Sequence, residues 1–466
     1  MEDPELFAFG PNWRESVTVE SEFKTDIATS RSGREQRAAV RNEPRMEVTF
    51  TVGVRRDRLR AFQRLLARFQ SHVVMMGDPT RKVDLEIAVT APTQTITVVD
   101  EPRWLVVGAK LLLEYEDRRE ILTVQSINFQ QITFTTPATQ TWPAGTAIRP
   151  TLLGMLSASI SAKNITDELA EQKITLSVLP GYEPVFLTDT GFMVHDGREV
   201  FPFIENWGEE VSTKFDWARD TVDFGYGRTD YFAPTSFGTM TRQSSYIGVT
   251  ADQAQRMSDF FNRMKGQRGE FYWPTGISDL VPMASLVEGT NTMRIAGRET
   301  YDSFHGDTVY RCIAIRLFDG RMIYRTVTGM TLSGGNITII QFDKPWLFGM
   351  TTREISCVSW MVAARFASDQ FTGEWVTSEV MQTQMSIRSL EDLTVENPTV
   401  IYDGAADWVF ENWGEAGINI MDRLDWIVNT LYPAIFFIPE AWVHRGEADV
   451  DRFDVIVNVR WPQVFD

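Results

Sequence analysis

The sequence predicts a mainly β protein in which one unit occurs twice. The unit is a β-sandwich with one packed α-helix, carrying a small inserted β-barrel, and a truncated third copy follows at the C-terminal end. Three observations predict this. The stretch Phe203-Ile204-Glu205-Asn206-Trp207-Gly208-Glu209-Glu210-Val211 recurs as Phe9-Gly10-Pro11-Asn12-Trp13-Arg14-Glu15-Ser16-Val17 and as Val409-Phe410-Glu411-Asn412-Trp413-Gly414-Glu415. At one constant offset Asn12, Trp13, Glu15, Val17, Asp26 and Gly33-Arg34 match Asn206, Trp207, Glu209, Val211, Asp220 and Gly227-Arg228, and self-similarity of this depth marks a duplication. Apolar and polar residues alternate at the period of a strand, and once in each copy that period gives way to helical spacing.

In chain order, residues 16–28 and 46–54 read as strands. In Met46-Glu47-Val48-Thr49-Phe50-Thr51-Val52 the even positions are apolar, which half-buries a sheet. Ser30-Arg31-Ser32-Gly33-Arg34-Glu35-Gln36-Arg37 between them reads as a turn. Leu59, Phe62, Leu65, Leu66 and Phe69 then recur at helical spacing, so a helix over roughly 55–70 lies on the sheet. The returning strand is His72-Val73-Val74-Met75-Met76, ended by Gly77-Asp78-Pro79. The second copy repeats the order. Thr239, Thr241, Ser245 and Ile247 lie in a strand, Thr250 and Gln253 form a capping box, and Met257, Phe260, Phe261 and Met264 are the buried stripe. Gly269-Glu270-Phe271-Tyr272-Trp273-Pro274 is the strand that returns.

The insertions have a different texture. Runs 105–107, 110–115, 121–124 and 132–134 are short, apolar and separated by turns, as in a small closed or nearly closed barrel. The equivalents in copy two are 291–295, 308–317, 322–327 and 336–342. After each insertion the chain is expected to rejoin its first sheet, at 155–162 and 173–179 and again at 358–366 and 383–389. The resulting domains are 1–82 with 151–186, the insertion 83–150, 187–280 with 357–395, the insertion 281–356, and the partial repeat 396–466. Linkers fall at 180–184 and 396–398.

Composition narrows the function. Apolar content of 43% and charged content of 23% are ordinary for a folded protein, whereas 14 Trp and 30 Phe are many. Such residues fill cores and dominate protein–protein interfaces. A net charge of −18 disfavours gripping nucleic acid or an anionic membrane. Two cysteines, Cys312 and Cys357, make no disulfide framework and fit a reducing compartment. The acidic start Met1-Glu2-Asp3-Pro4-Glu5 is unlike a secretory signal, and no apolar run is long enough for a membrane helix. A soluble protein made in the cytoplasm is expected.

Charge is unevenly placed. Residues 31–68 hold eleven Arg against four acidic residues, while 394–466 hold thirteen acidic residues and four Arg. A basic arm and an acidic end suggest complementary surfaces between neighbouring subunits. Arg34, Arg37, Arg45, Arg55, Arg56 and Arg58 are therefore the candidate assembly-interface residues, with a solvated Arg-rich face as the plainer reading.

Material for catalysis is thin. The four histidines, His72, His195, His305 and His444, stand apart from one another and from Cys at any ligand spacing. No phosphate loop, dinucleotide fingerprint or nucleophile elbow occurs. Gly334-Gly335 reads as a hairpin turn, and Cys312 and Cys357 as small buried hydrophobes in strands. The acidic pairs Asp422/Asp425 and Asp449/Asp451 suit a glycosidase or Ca²⁺, but an acidic chain makes such pairs by chance. No catalytic, cofactor-binding or metal-binding residue is assigned, and the protein is expected not to be an enzyme.

The segment Ser30 to Arg37, with Glu43-Pro44-Arg45 and the alternating strand after it, resembles tail-tip proteins of tailed bacteriophages: distal tail and baseplate-hub proteins and their gene-transfer-agent relatives. The following helix and the aromatic strand ending Tyr272-Trp273-Pro274 fit the same pattern. The resemblance covers residues 9–80 best and 203–275 less well, and Thr229-Asp230 replaces Glu35-Gln36 in copy two. It implies a tail-tube-like sandwich arranged in a ring around a channel. The expected function is then a structural virion protein of the tail tip, joining the tube to the hub or receptor-binding apparatus and letting DNA pass. Expected partners are other copies of the chain, the tail tube protein and hub or tail-fibre proteins, with no membrane binding. Two sandwiches per chain suggest a trimer with pseudo-sixfold symmetry, with a hexamer as the alternative. Other readings are an adaptor at another level of the tail, or a carbohydrate-binding or hydrolytic tail protein whose barrels hold glycans.

Overall fold

The computed structural model describes residues 4–390, except 31–32, 70–71, 161, 182–190, 218, 224, 226, 228, 233–237, 308 and 335. The expected third copy at 396–466, with its acidic end, lies outside the described residues. Strand exceeds helix by 51% to 9%, which fixes the class as mainly β. No described helix is long and apolar enough to cross a membrane.

The strand Arg45–Arg55 shows how the sequence makes this class. Met46, Val48, Phe50, Val52 and Val54 are buried on its core face, as the period-two pattern requires. On one side it pairs with Val17–Glu22 and on the other with Leu169–Val178, both antiparallel. The helix α1 (Arg56–Phe69) follows at once and lays Phe62, fully buried, against Phe7 and Phe9 with ring centroids 6.1 and 4.8 Å away. Val73–Gly77 then returns, pairing with Ala147–Leu156 and, in parallel, with Glu5–Leu6.

The same sequence of pairings occurs in the second half. Thr239–Gly248 lies between Ser212–Asp216 and Met381–Ser389. The helix α2 (Ala251–Met264) follows, its N-terminus capped by Thr250 Oγ1, which accepts from the Gln253 N–H at 3.3 Å. Gln253 reaches back to the Val249 N–H at 3.2 Å, which completes the capping box one residue earlier than the ideal motif. Phe271–Pro274 returns, pairing with Ile355–Phe366 and, in parallel, with Arg198–Val200. Phe260 is buried among Phe192, Phe201 and Phe271, with centroids 5.0 to 5.4 Å away.

The halves are joined edge to edge. Val17–Glu22 of the first pairs antiparallel with Gln370–Trp375 of the second, Val17 opposite Trp375 and Glu22 opposite Gln370. One sheet therefore runs through eight strands: Ala162–Asn164, Leu169–Val178, Arg45–Arg55, Val17–Glu22, Gln370–Trp375, Met381–Ser389, Thr239–Gly248 and Ser212–Asp216.

Residues 83–150 carry a core of their own, with Leu113, Phe134, Trp142 and Ile148 fully buried. Their strands form a closed circuit. Ala147–Leu156 meets Val83–Asp84 and Lys110–Tyr115, then Arg118–Asn128, Gln131–Ala138 and Thr93–Thr97 follow, and the Leu85–Val98 bridge shuts it. Residues 281–356 form a second such cluster around Ile313, Ile340, Trp346 and Trp360.

Several local expectations are corrected. Residues 30–37 are not simply a turn: Thr25–Thr29 and Glu35–Ala39 form a hairpin, and only its tip keeps the turn chemistry. Run 105–107 is not a strand but part of a turn, in which the Leu105 N–H donates to Pro102 O at 2.9 Å. The strand expected at 155–162 breaks after Leu156 and resumes at Ala162–Asn164, and the run 308–317 begins its strand only at Cys312. A short helix α3 (Glu299–Phe304), which the sequence pattern did not announce, lies in the second insertion.

Candidate assembly interface

The thrice-written Asn-Trp motif has a structural role in both described copies. The Asn12 side chain accepts from the Arg14 N–H at 3.0 Å, and Asn206 does the same for Gly208 at 3.1 Å. The backbone N–H of each Asn docks on the long strand, Asn12 on Thr51 O at 2.9 Å and Asn206 on Ser245 O at 2.8 Å. These are Asx turns that pin the incoming chain to the sheet. Trp13 is half-buried against the core, whereas Trp207 is exposed.

The junction between the halves is built with care. The hairpin Thr25–Thr29/Glu35–Ala39 reaches past the strand edge onto the second half. There Arg365 grips Glu35 with both arms, at 2.7 and 2.9 Å, and both side chains are buried. Burial raises the Glu35 carboxyl, but the hydrogen bond and charge of Arg365, with Arg388 and Arg37, outweigh it and leave it below the ordinary carboxylate range. Arg37, also largely covered, pairs with Glu270 and donates to Gln267 O. Asp369 accepts from the Thr25 N–H and hydroxyl at 2.6 and 2.8 Å. On the next strand Ser21 donates to Asn262 of α2 at 3.1 Å, and Phe23 packs on Phe261 with centroids 6.1 Å apart. Arg81 closes the remaining gap, donating to Gln255 at 2.9 Å.

The six candidate arginines do not form one patch. Arg37 is spent in this internal junction. Arg34 stands exposed at the hairpin tip, where its N–H donates to Ser30 Oγ at 3.1 Å. Arg45 and Arg55 are exposed at opposite ends of one eleven-residue strand, roughly 33 Å apart. Arg55, Arg56 and Arg58 cluster at the start of α1. Arg56 pairs with Glu168 at 3.0 Å in open solvent, a contact of little energy, and Arg58 lies 5.5 Å over the Phe9 ring.

Two polar clusters escaped sequence reasoning because their members are far apart in the chain. His195, Asp196 and Cys312 come together with ligand atoms within 4.8 Å of one another, a candidate metal trio. The Thr326 hydroxyl stands among them, donating to Asp196 at 2.8 Å and accepting from His195 Nε2 at 2.9 Å, with Cys312 Sγ 3.8 Å away. Burial pushes the His195 pKa down, so the ring is neutral and suits that bond. The trio is thus a hydrogen-bond hub whose centre a side chain already fills. The second cluster is Glu205, Arg242 and Asp279. Arg242, buried, lies 4.8 Å over the Trp273 ring, donates to Thr213 at 3.1 Å and stands 3.7 Å from Glu205. Burial still raises the Glu205 carboxyl above its ordinary value, so here desolvation exceeds the pull of the guanidinium.

The sheet leaves two strands unpaired on one side. Among the described residues Ser212–Asp216 pairs only with Thr239–Gly248, and Ala162–Asn164 only with Leu169–Val178. Large aromatics surround the first edge: Phe215 is 72% exposed, Trp217 55% and Tyr231 62%. Open edges flanked by apolar surface are sticky, and a monomer ordinarily blunts them. The chain matches no protein-family model and no curated protein.

Proposed function

We propose that the chain is a structural component of a phage tail tip, a tandem duplication of a tail-tube-like β-sandwich that assembles as a ring around a channel. In this reading each sandwich carries an inserted barrel at 83–150 or 281–356, and the barrels face other tail proteins. The observation that carries it is the edge-to-edge junction of Val17–Glu22 with Gln370–Trp375. That junction is what a ring of sandwiches needs between neighbours, and the chain already contains one. The two strands left open are the counterparts of the two that meet. Ser212–Asp216 flanks Thr239–Gly248 as Val17–Glu22 flanks Arg45–Arg55, and Ala162–Asn164 flanks Leu169–Val178 as Gln370–Trp375 flanks Met381–Ser389.

A head-to-tail contact of this kind is heterologous, and it closes when the rotation divides a full turn. Six sandwiches from three chains give a trimer with pseudo-sixfold symmetry; a hexamer with one sandwich of each chain at the channel is the alternative. A net charge of −18 suits a conduit that lets DNA pass without holding it. Tail tube protein above and hub or fibre proteins below are the partners this position offers, and no chemistry is required of it. Antibody raised against the purified protein tests the placement: it should label the distal end of the tail in electron micrographs of the virion. Label on the head or along the shaft overturns the reading.

A further inference from the structure

We propose that the open faces bind a second copy of this chain in the register of the internal junction, with uncharged pairs in place of the two buried ion pairs of that junction. The inference rests on the ring reading and goes further, since it names the contacting residues and explains why the two junctions stay distinct. The equivalences follow from the strand registers. Val48 lies between Val19 and Leu176, as Arg242 lies between Thr213 and Ile387. Thr18 faces Glu374 inside the chain, so Ser212 should face Lys163 of the next copy.

The side chains at equivalent places change together. Inside the chain Ser21 bonds Asn262; the counterparts are Phe215 on one open face and Ala67 on the other. Phe23 packs on Phe261, and the counterparts are Trp217 and Leu66. Arg37 pairs with Glu270, and the counterparts are Tyr231 and Val73. Glu35 grips Arg365, and the counterparts are Thr229 and Met155, the latter 41% exposed. At these places both buried ion pairs and the Ser21–Asn262 bond are met by uncharged residues on both sides, while Thr25, which bonds Asp369, is met by Arg219. Drift of two unrelated solvent faces gives no reason for such matching, whereas two surfaces that touch require it.

The space left on the accepting face agrees. Between α1 and residues 164–168 lies a groove of about 1050 Å³ lined by Arg56, Leu59, Arg60 and Gln63. Its counterpart beside α2, at Gln255 and Ser258, is filled by Arg81, Asp78 and Val19 of the first half, and about 20 Å³ remains. Gln63, Arg64 and Ala67 on α1 are exposed where Ser258, Asp259 and Asn262 on α2 are covered.

The exchange gives specificity. A Glu35 hairpin set against Met155 would bury a carboxylate without its guanidinium, and a Tyr231 hairpin set against Arg365 would bury the guanidinium without its carboxylate. First-half and second-half sandwiches must therefore alternate.

Ser212→Cys with Lys163→Cys tests this in the full chain, since Cys312 and Cys357 are both buried. Mild oxidation should give covalent dimers and trimers, and moving one partner to Thr166→Cys should abolish them, because a disulfide tolerates only about 7 Å between Cα atoms. Trp217→Ser with Tyr231→Ser, both at exposed positions, should keep the melting temperature and weaken association by about a hundredfold. Oligomers detected by mass photometry without the cross-link overturn the inference and leave the ring intact. A chain that stays monomeric at every concentration, with no cross-link, overturns both. Cross-linking with unweakened association of the serine variant overturns the pairing at Trp217 and Tyr231.

Discussion

At the scale of single residues, the second half contains a buried charge that the first half lacks. Glu205 and Arg242 are nearly inaccessible, and their first-half counterparts are Pro11 and Val48. The ion pair is dispensable as a pair but not as single charges, because removing one partner leaves the other desolvated. Arg242→Ala and Glu205→Gln should therefore each cost about 3–5 kcal/mol of unfolding free energy, and Arg242→Met with Glu205→Gln together less than the sum of the two single losses. Denaturant melts of the variants check this, and a loss below about 1 kcal/mol for either single change would contradict it. In the sequence Glu205 stood out only as a member of the repeated motif, and nothing tied it to Arg242. The tie is made by a strand, a turn and the Trp273 ring, which come together only when the sheet forms. The same holds for His195 and Cys312, whose meeting place is the Thr326 hydroxyl.

At the scale of elements, α1 and α2 are the parts the sequence described best. Their apolar stripes recur at helical spacing, and Phe62, Met257, Phe260 and Phe261 are all buried. Phe62→Ala and Phe261→Ala should each cost about 3–5 kcal/mol, since a large ring is lost from a packed site. Losses below about 1 kcal/mol at both would mean that neither ring is part of a core. The outer faces of the helices were not legible. Asp259 and Asn262 look like solvated residues in the sequence, yet the first half covers them, and no local pattern records a cover that comes from elsewhere in the chain. Hairpin Thr25–Thr29/Glu35–Ala39 was missed for a related reason. Its residues are polar and small because it docks on another half rather than on its own core.

At the scale of the whole molecule, the repeat was readable from Asn12-Trp13 and Asn206-Trp207, whose Asx turns repeat in detail. The junction of the halves was not readable, because Val17 and Trp375 pair across almost the full length of the described chain. Of the Arg-rich arm, Arg37 serves the internal junction, while Arg55, Arg56 and Arg58 lie apart at the start of α1. Shape and pairing say more about assembly than net charge does. Among the described residues, an open edge at each end of one continuous sheet, with a closed copy of the same contact between, supports the proposed head-to-tail ring.

The number and placement of chains in the assembled ring test this most directly. Native mass spectrometry of the purified oligomer, with cryo-electron microscopy of the same particle, should show three chains and six sandwiches alternating around one axis. Six chains with only one sandwich of each at the channel, or a closed contact that leaves Ser212–Asp216 and Ala162–Asn164 facing solvent, would contradict it.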